Sequence, residues 1–236
     1  MPSKAYLEYL ELLEDVNALN LTHSTLSGGT AGRKKLGFLT RSAIVMLCAA
    51  WERYNENLLL ESIEIILSTD PAAKDLPLEV KKYISEKVRE EKHEIYPIEL
   101  AGEGWKNLWK GYASNETELL HTPNPEKLRA LFKRYLGIPD YTRLWLHGDS
   151  LKIEKLVKVR GSIAHNGSKA KYVRINDLRS YLSLVTSNVI EIDYQMSQYL
   201  KSTYAANTWI ETYYTSLATT LPTRIRNRIR KWTIEE

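Results

Sequence analysis

Cysteine, glycine and proline are scarce in this chain, and each scarcity excludes a class of fold. The single cysteine, Cys48, excludes a disulfide within the chain. Together with the lack of a secretory signal, it predicts a reducing, cytoplasmic setting. Only 11 glycines and 8 prolines occur in 236 residues, whereas a β-sandwich or β-barrel needs frequent turn residues. Because long runs of good helix formers fill the chain, the composition predicts an all-helical protein.

Long apolar runs and the usual catalytic signatures are also missing. No stretch approaches the ~18 apolar residues of a membrane helix, so we expect no membrane span. The zinc patterns HExxH and CxxC, the serine-hydrolase pattern GxSxG and the dinucleotide fingerprint are all absent. Cys48 lies in the apolar run AIVMLCAAW, which indicates a buried structural thiol. We therefore expect neither a metal site nor a cofactor.

Helical periodicity organises the chain into a bundle with an insertion. The segments predicted as helices are 5–19, 38–68, 77–93, 104–114, 125–136, 151–164, 175–199 and 206–218. Apolar residues of the segment 175–199 recur at steps of three and four, which predicts either an internal bundle face or a dimer seam. We expect a bundle domain in residues 1–200, with an insertion at about 95–149. A C-terminal helical extension with a basic tail follows in 201–236.

One stretch near the end of a predicted helix is the best candidate active site. It runs from Arg160 through Gly161, Ser162, Ile163 and Ala164 to His165. The small residues between the arginine and the histidine leave room for a ligand or a second subunit. The spacing alone is weak support, because Arg–His pairs also occur at 89/93 and 143/147.

The blocks around this motif resemble the HEPN superfamily, and in particular the RiboL-PSP-HEPN group of prokaryotic proteins. Those proteins carry an Arg-x4–6-His motif near the end of a bundle helix, here Arg160-GSIA-His165. Further matching blocks are FLTRSAIVMLCAAWERYNENLLLES at 38–62, AGEGWKNLW at 101–109 and HTPNPEKLRALFKRYLGI at 121–138. The resemblance implies an up-and-down four-helix bundle that forms a homodimer. It also implies a metal-independent endoribonuclease, commonly a toxin or an anti-phage effector with a cognate antitoxin or defence partner.

The chemistry that the resemblance implies uses a nucleophile that RNA carries itself, the 2′-hydroxyl. His165 would transfer protons near neutral pH, and Arg160 would grip the phosphate and stabilise its added charge. Ser162 and Asn166 are supporting candidates. The chain departs from the family pattern at Gly161, where Asn, Asp or His is usual, although Ser162 supplies a hydroxyl nearby.

Helical geometry constrains how the two motif residues work together. At ~100° per residue, side chains five positions apart point about 140° away from each other. Either the helix is distorted near Gly161, or Arg160 and His165 each meet their counterparts across a dimer axis. The second arrangement is the one that the family resemblance implies.

Two further groups are secondary candidates. Glu52, with its neighbours Tyr54 and Asn55, lies in an apolar helix, where a carboxylate needs a partner. Arg41 and Arg160 are the possible partners, and a structural ion pair is favoured over direct catalysis. The second group is the basic tail, which carries the candidate nucleic-acid-binding residues Arg224, Arg226, Arg228, Arg230 and Lys231. These either contact phosphates or form a solvated helix end.

Three functions remain open on the sequence alone. The first is a HEPN-type ribonuclease that acts on RNA. The second is a non-catalytic HEPN-like bundle that serves as a binding or antitoxin-like partner. The third is a helical nucleic-acid-binding module that works through the basic tail.

Overall fold

The computed structural model of the protein describes residues 2–28, 35–90, 100, 102–146 and 149–209. Within these ranges the chain forms seven α-helices and no β-strand, which confirms the all-helical prediction. The helices are α1 (Lys4–Ser27), α2 (Gly37–Ser68), α3 (Leu78–Glu90), α4 (Gly104–Glu118), α5 (Pro125–Leu136), α6 (Ser150–Asn166) and α7 (Ile175–Tyr204). Short 3-10 turns cover Ala73–Asp75, Tyr141–Leu144 and Gly167–Lys169. No helix of this described part is long and apolar enough to cross a membrane.

Four helices, α1, α2, α6 and α7, form an up-and-down bundle. The start of α1 meets the second half of α2, because Glu61 accepts hydrogen bonds from the backbone of Lys4 and Ala5. These two helices are therefore antiparallel. Helix α7 runs alongside α2 in the same direction: Thr40 donates to the carbonyl of Val173, and Tyr54 donates to that of Val189. Helix α6 runs the opposite way.

Helix α2 is the centre of the core, and its burial explains why it forms. The stripe that predicted the helix is fully buried at Ile44, Leu47, Trp51, Tyr54 and Leu58. Helices α1, α4, α5, α6 and α7 all pack against α2. Such a stripe at three- and four-residue spacing stabilises a helix mainly through the apolar surface that it removes from water.

The regular apolar stripe of α7 faces the interior of the same chain. Five members, Leu178, Val185, Val189, Ile192 and Met196, are buried in the single protomer. The stripe is therefore an internal bundle face, one of the two predicted alternatives. It is occupied by the protein's own core and is not available as a dimer seam.

The segment between α3 and α6 contributes to the same core. Asn124 caps α5 as predicted, with its side-chain oxygen accepting from the backbone of Lys127 at 2.8 Å. Trp109 is fully buried, and Phe132 stacks on Tyr141 with 3.6 Å between ring centroids. These aromatic side chains extend the core beyond the four bundle helices and pack α4 and α5 onto α2.

Several predicted boundaries were wrong. Helix α1 continues to Ser27, eight residues past the predicted end, and Ser150 is the first residue of α6 rather than its cap. Residues 206–209 are not helical, so the predicted helix 206–218 does not begin where expected. Its remainder and the basic tail lie outside the described residues.

Candidate active site

Helix α6 is regular across the whole motif. It runs from Ser150 to Asn166 without interruption at Gly161. It ends at Gly167, which has a φ of 52° and donates its N–H to the carbonyl of Ile163. A positive φ is readily adopted by glycine, so the sequence fixes the end of the helix here. The first of the two predicted geometries, a distortion near Gly161, is therefore wrong.

Arg160 lies on the side of α6 that faces the protein. It follows the buried residues Ile153, Leu156 and Val157 by seven, four and three positions, the spacing of one helical face. Its side chain is half-buried and interacts electrostatically with Cys48 and Glu52 of α2. Among the described residues, none forms a hydrogen bond or an ion pair with the Arg160 guanidinium. Its donors remain open to an anionic ligand.

Glu52 faces Arg160 from the middle of α2. Its side chain is half-buried, and this burial, reinforced by the nearby Glu56 carboxylate, raises its pKa from 4.5 to about 7. Arg160 and Lys127 oppose the rise in pKa through their positive charges. The predicted structural ion pair is wrong, because neither Arg41 nor Arg160 comes within 4 Å of the carboxylate. Glu52 can therefore exchange a proton near neutral pH.

His165 lies on a different side of α6, together with two supporting residues. His165, Ser162 and Asn166 are all exposed. The Asn166 amide donates to the Ser162 carbonyl at 3.0 Å and lies 3.5 Å from the Ser162 hydroxyl. The amide is thus held against the last turn, beside His165. In one protomer the motif is split between a protein-facing arginine and a solvent-facing histidine.

Tyr54 and Asn55 are not part of this site. Both are fully buried. The Tyr54 hydroxyl donates to the Val189 carbonyl at 3.1 Å, and Asn55 accepts from the Tyr141 hydroxyl at 2.7 Å. Tyr54 points about 160° away from Glu52 around α2, into the core. Asn55 points only about 60° away from Glu52, towards the side of Trp51, and is fully buried. Their prediction as supporting site residues was wrong, since hydrogen bonds in the interior occupy their polar groups.

Beside the motif, α2 and α6 enclose a shallow groove of about 380 Å³. Its lining is mainly apolar and consists of Phe38, Arg41, Ser42, Val45, Met46, Ile163 and Gly167. Phe38 is 55% exposed. The groove lies next to the motif and extends towards the end of the bundle where α2 begins.

Position 161 is open to solvent and to any larger side chain. A Cβ atom added to Gly161 would have no neighbouring heavy atom within 4 Å outside its own helix. Packing therefore does not require glycine at this position. The structure therefore has room for the polar side chain that is usual at this position of the family motif.

Sequence reasoning missed two sets of residues near the motif. Lys127, in the first turn of α5, acts on the Glu52 carboxylate through its charge. Its position depends on how α5 packs against α2, which no local pattern reveals. The second set consists of Lys169, Lys171, Tyr172 and Arg174, at the end of the bundle next to Gly167. Their common location depends on the up-and-down order of the helices.

Comparison with known proteins identifies the family. The family model RiboL-PSP-HEPN matches residues 5–198, which include α1 to α6 and most of α7. Neither the curated proteins nor the solved structures contain a significant match to the chain. The match spans well over half of the chain and contains the whole Arg160–His165 motif. The chain therefore belongs to the RiboL-PSP-HEPN family, whose domains are helical, nuclease-like and related to RNA.

Proposed function

We propose that the protein is a metal-independent endoribonuclease in which Arg160 and His165 act in one composite cleft between two protomers. The observation that carries this proposal is the split motif on a regular helix. Arg160 points towards α2, whereas His165 points to solvent about 140° away. Two-fold pairing of this surface brings the arginine of one protomer to the histidine of the other.

The proposed reaction breaks the P–O5′ bond of RNA. The 2′-hydroxyl oxygen attacks the adjacent phosphorus, and the His165 imidazole accepts its proton. The P–O5′ bond breaks, and the protonated imidazole donates that proton to the leaving 5′-oxygen. The Arg160 guanidinium binds two non-bridging oxygens and stabilises the charge that develops on them. The products are a 2′,3′-cyclic phosphate and a 5′-hydroxyl. Because RNA supplies the nucleophile, the reaction does not require a metal-bound hydroxide.

Glu52 enters the proposal as a positioning residue for Arg160. Its carboxylate attracts the guanidinium when ionised, and its pKa of about 7 places that ionisation near neutral pH. Protonation of Glu52 weakens this attraction and changes where Arg160 is held. Activity should therefore depend on the ionisation of Glu52.

The groove beside the motif supports the proposed homodimer. Phe38, Val45 and Met46 offer apolar surface next to Ile163, immediately beside the motif helix. An exposed phenylalanine on such a surface is typical of a protein–protein contact. A second protomer that packs on Phe38, Val45 and Met46 would bury these apolar side chains and bring its own α6 close to the first.

A cleavage assay with labelled RNA in EDTA tests the proposed activity. Arg160→Ala and His165→Ala should each abolish cleavage, whereas Arg89→Ala, a matched change on exposed α3, should leave it unchanged. Removal of one residue of a catalytic unit typically costs 10²–10⁴-fold in rate. Cleavage that survives both motif substitutions would refute the assignment.

Mixing the two inactive variants tests the composite cleft. A heterodimer of Arg160→Ala and His165→Ala retains one intact pair, the arginine of one protomer and the histidine of the other. We expect activity to return when the variants are co-expressed, and light scattering to give the mass of a dimer. No recovery in a confirmed heterodimer would place the reacting pair within one protomer.

A non-catalytic role is the second candidate, and Gly161 favours it. The position lacks the usual polar side chain although nothing nearby excludes one. In that case the cleft binds a nucleotide or a partner protein without cutting RNA. Purified protein that binds RNA but leaves it intact in the assay above would support this candidate.

The proposed biological role is that of a toxin or anti-phage effector restrained by a cognate partner protein. An endoribonuclease free in a cell is toxic unless controlled. Induced expression should arrest growth, and His165→Ala should restore it. Arrest that persists in the His165→Ala variant would separate toxicity from cleavage.

A further inference from the structure

Positive charge is concentrated at one end of the bundle. At this end α1 and α6 finish while α2 and α7 begin. The described stretches 15–28, 35–52 and 154–177 contain eight Lys or Arg residues and four Asp or Glu residues, a net charge of +4 that equals the net charge of the whole chain. The excess is therefore a local property of this end.

These cations have few acidic partners. Lys158 pairs with Glu154 at 2.6 Å. The other seven, Lys35, Arg41, Lys155, Arg160, Lys169, Lys171 and Arg174, form no ion pair with any described residue. Elsewhere in the same part of the chain, lysines and arginines commonly pair with carboxylates. A cluster of uncompensated cations is complementary to a polyanion.

An exposed tyrosine, Tyr172, lies among these cations, and one edge of its ring contacts the backbone at Gly37. Tyr172 is 59% exposed. Gly37 has no Cβ, and the space that a Cβ would take is occupied by two neighbouring side chains. The Tyr172 ring atoms Cε2 and Cδ2 lie 3.0 and 3.2 Å from that Cβ position, and Arg41 Nη1 lies 3.1 Å from it. One edge of the ring thus rests on Gly37 beside the Arg41 guanidinium, while much of its surface stays open to solvent.

We propose that Tyr172, with Arg41, Lys169 and Lys171, forms a subsite that binds an unpaired nucleotide of RNA next to the scissile phosphate. Tyr172 stacks on the base, and the three cations contact the flanking phosphates. Single-stranded RNA is recognised in this way because every base presents a flat face and every linkage a negative charge. The inference rests on the proposed function, since it takes RNA as the substrate.

The subsite is continuous with the motif. Arg41 lines the same groove as Ile163 and Gly167, the residues two positions before and after His165. Tyr172 follows His165 by seven residues, and Val173 is fixed to α2 by the hydrogen bond from Thr40 at 2.9 Å. A strand that crosses this end of the bundle therefore reaches the end of α6 that carries His165.

The test measures binding of a fluorescent single-stranded RNA oligonucleotide to the His165→Ala protein, which leaves the RNA uncut. Adding Tyr172→Ala should weaken binding about tenfold, within the range known for loss of one base–aromatic stack, whereas Tyr172→Phe should stay within about twofold. Binding of a duplex of the same sequence should respond little to either change, because its bases are already paired.

Substituting the two lysines tests the phosphate contacts. Lys169→Ser with Lys171→Ser should weaken binding to all RNA sequences and lower the slope of log K against log salt by about 1.4, at ~0.7 per lost phosphate contact. The matched control is Lys74→Ser with Lys82→Ser, which removes the same charge at the opposite end of α2. It should change both quantities far less.

The outcomes separate this inference from the proposed function. Cleavage by the wild type combined with unchanged RNA binding by Tyr172→Ala would overturn the subsite and leave the ribonuclease standing. Tyr172-dependent binding without cleavage would support the subsite and overturn the ribonuclease. A fall in mass from dimer to monomer in Tyr172→Ala would show that the ring contacts a second protomer, which also overturns the subsite. Circular dichroism should confirm that each variant remains folded.

Discussion

Replacing Glu52 with glutamine should stabilise the protein, and more so as the pH rises. The folded chain raises the pKa of this carboxyl from 4.5 to about 7, chiefly because burial penalises the charged form. Below pH 4.5 the group is protonated in both states and costs nothing. As the pH rises from 4.5 to about 7, the folded state loses stability relative to the unfolded state, since the carboxyl ionises more easily in the unfolded chain. Glutamine stays neutral throughout and avoids the loss.

The magnitude follows from the same pKa. A rise from 4.5 to about 7 corresponds to about 3 kcal/mol at ~1.36 kcal/mol per pH unit. The Glu52 side chain is only partly buried, and solvent screening reduces this figure, so we expect a gain of about 1–2 kcal/mol above pH 7. For a chain of this size, that gain corresponds to a melting temperature higher by roughly 2–8 °C.

Urea unfolding at fixed protein concentration between pH 4.5 and 8 measures the effect. The difference in unfolding free energy between Glu52→Gln and the wild type should grow across this range and level off above pH 7. Glu14→Gln, on the exposed side of α1, is the matched control that makes the same carboxyl-to-amide change away from the site. A Glu52→Gln curve parallel to the wild type would show that Glu52 is not buried as described.

Two further substitutions test other parts of the site. Gly161→Asn restores the usual polar residue in open space. It should leave the free energy of unfolding unchanged or raise it by less than about 1 kcal/mol, because glycine is the less favourable residue inside a helix. It should also raise RNA cleavage in the gel assay, whereas an unchanged or lower rate would argue against a role for that side chain. Tyr54→Phe removes a buried hydroxyl that donates to the Val189 carbonyl and should lower the unfolding free energy by about 1–3 kcal/mol. RNA cleavage at low temperature should not change. A large loss of cleavage in the folded variant would show that Tyr54 belongs to the site.

The bundle helices could be predicted because burial leaves a periodic record in the sequence. Ile44, Trp51 and Leu58 repeat at helical spacing, and all three are fully buried. The end of α6 was predicted two residues early, at 164 instead of Asn166, and the helix ends where Gly167 adopts a positive φ. The start of the same helix was wrong by one residue, because Asp149 and Ser150 are both acceptable near a helix start and local chemistry does not distinguish them.

The contacts across the site could not be predicted in the same way. The approach of Glu52 to Arg160 depends on the axial position of α6 relative to α2. The two residues are more than 100 positions apart in the chain, and no local sequence pattern records that relative position. Tyr54 and Asn55 were placed with Glu52 because they are neighbours in sequence. Their helical angles, together with the buried stripe through Trp51 and Leu58, would have assigned them to the core.

The position of the two motif residues along α6 gives them unequal local stability. Arg160 projects from a turn whose neighbours, Leu156 and Val157, are locked in the core. His165 belongs to the final turn, where Ala164, Asn166 and Gly167 are exposed and helices fray first. A protein that binds and unwinds only this last turn would displace the histidine while leaving the arginine and the bundle intact. In the proposed mechanism, an inhibitor of this kind would prevent proton transfer by His165 while Arg160 stays in place to bind phosphate.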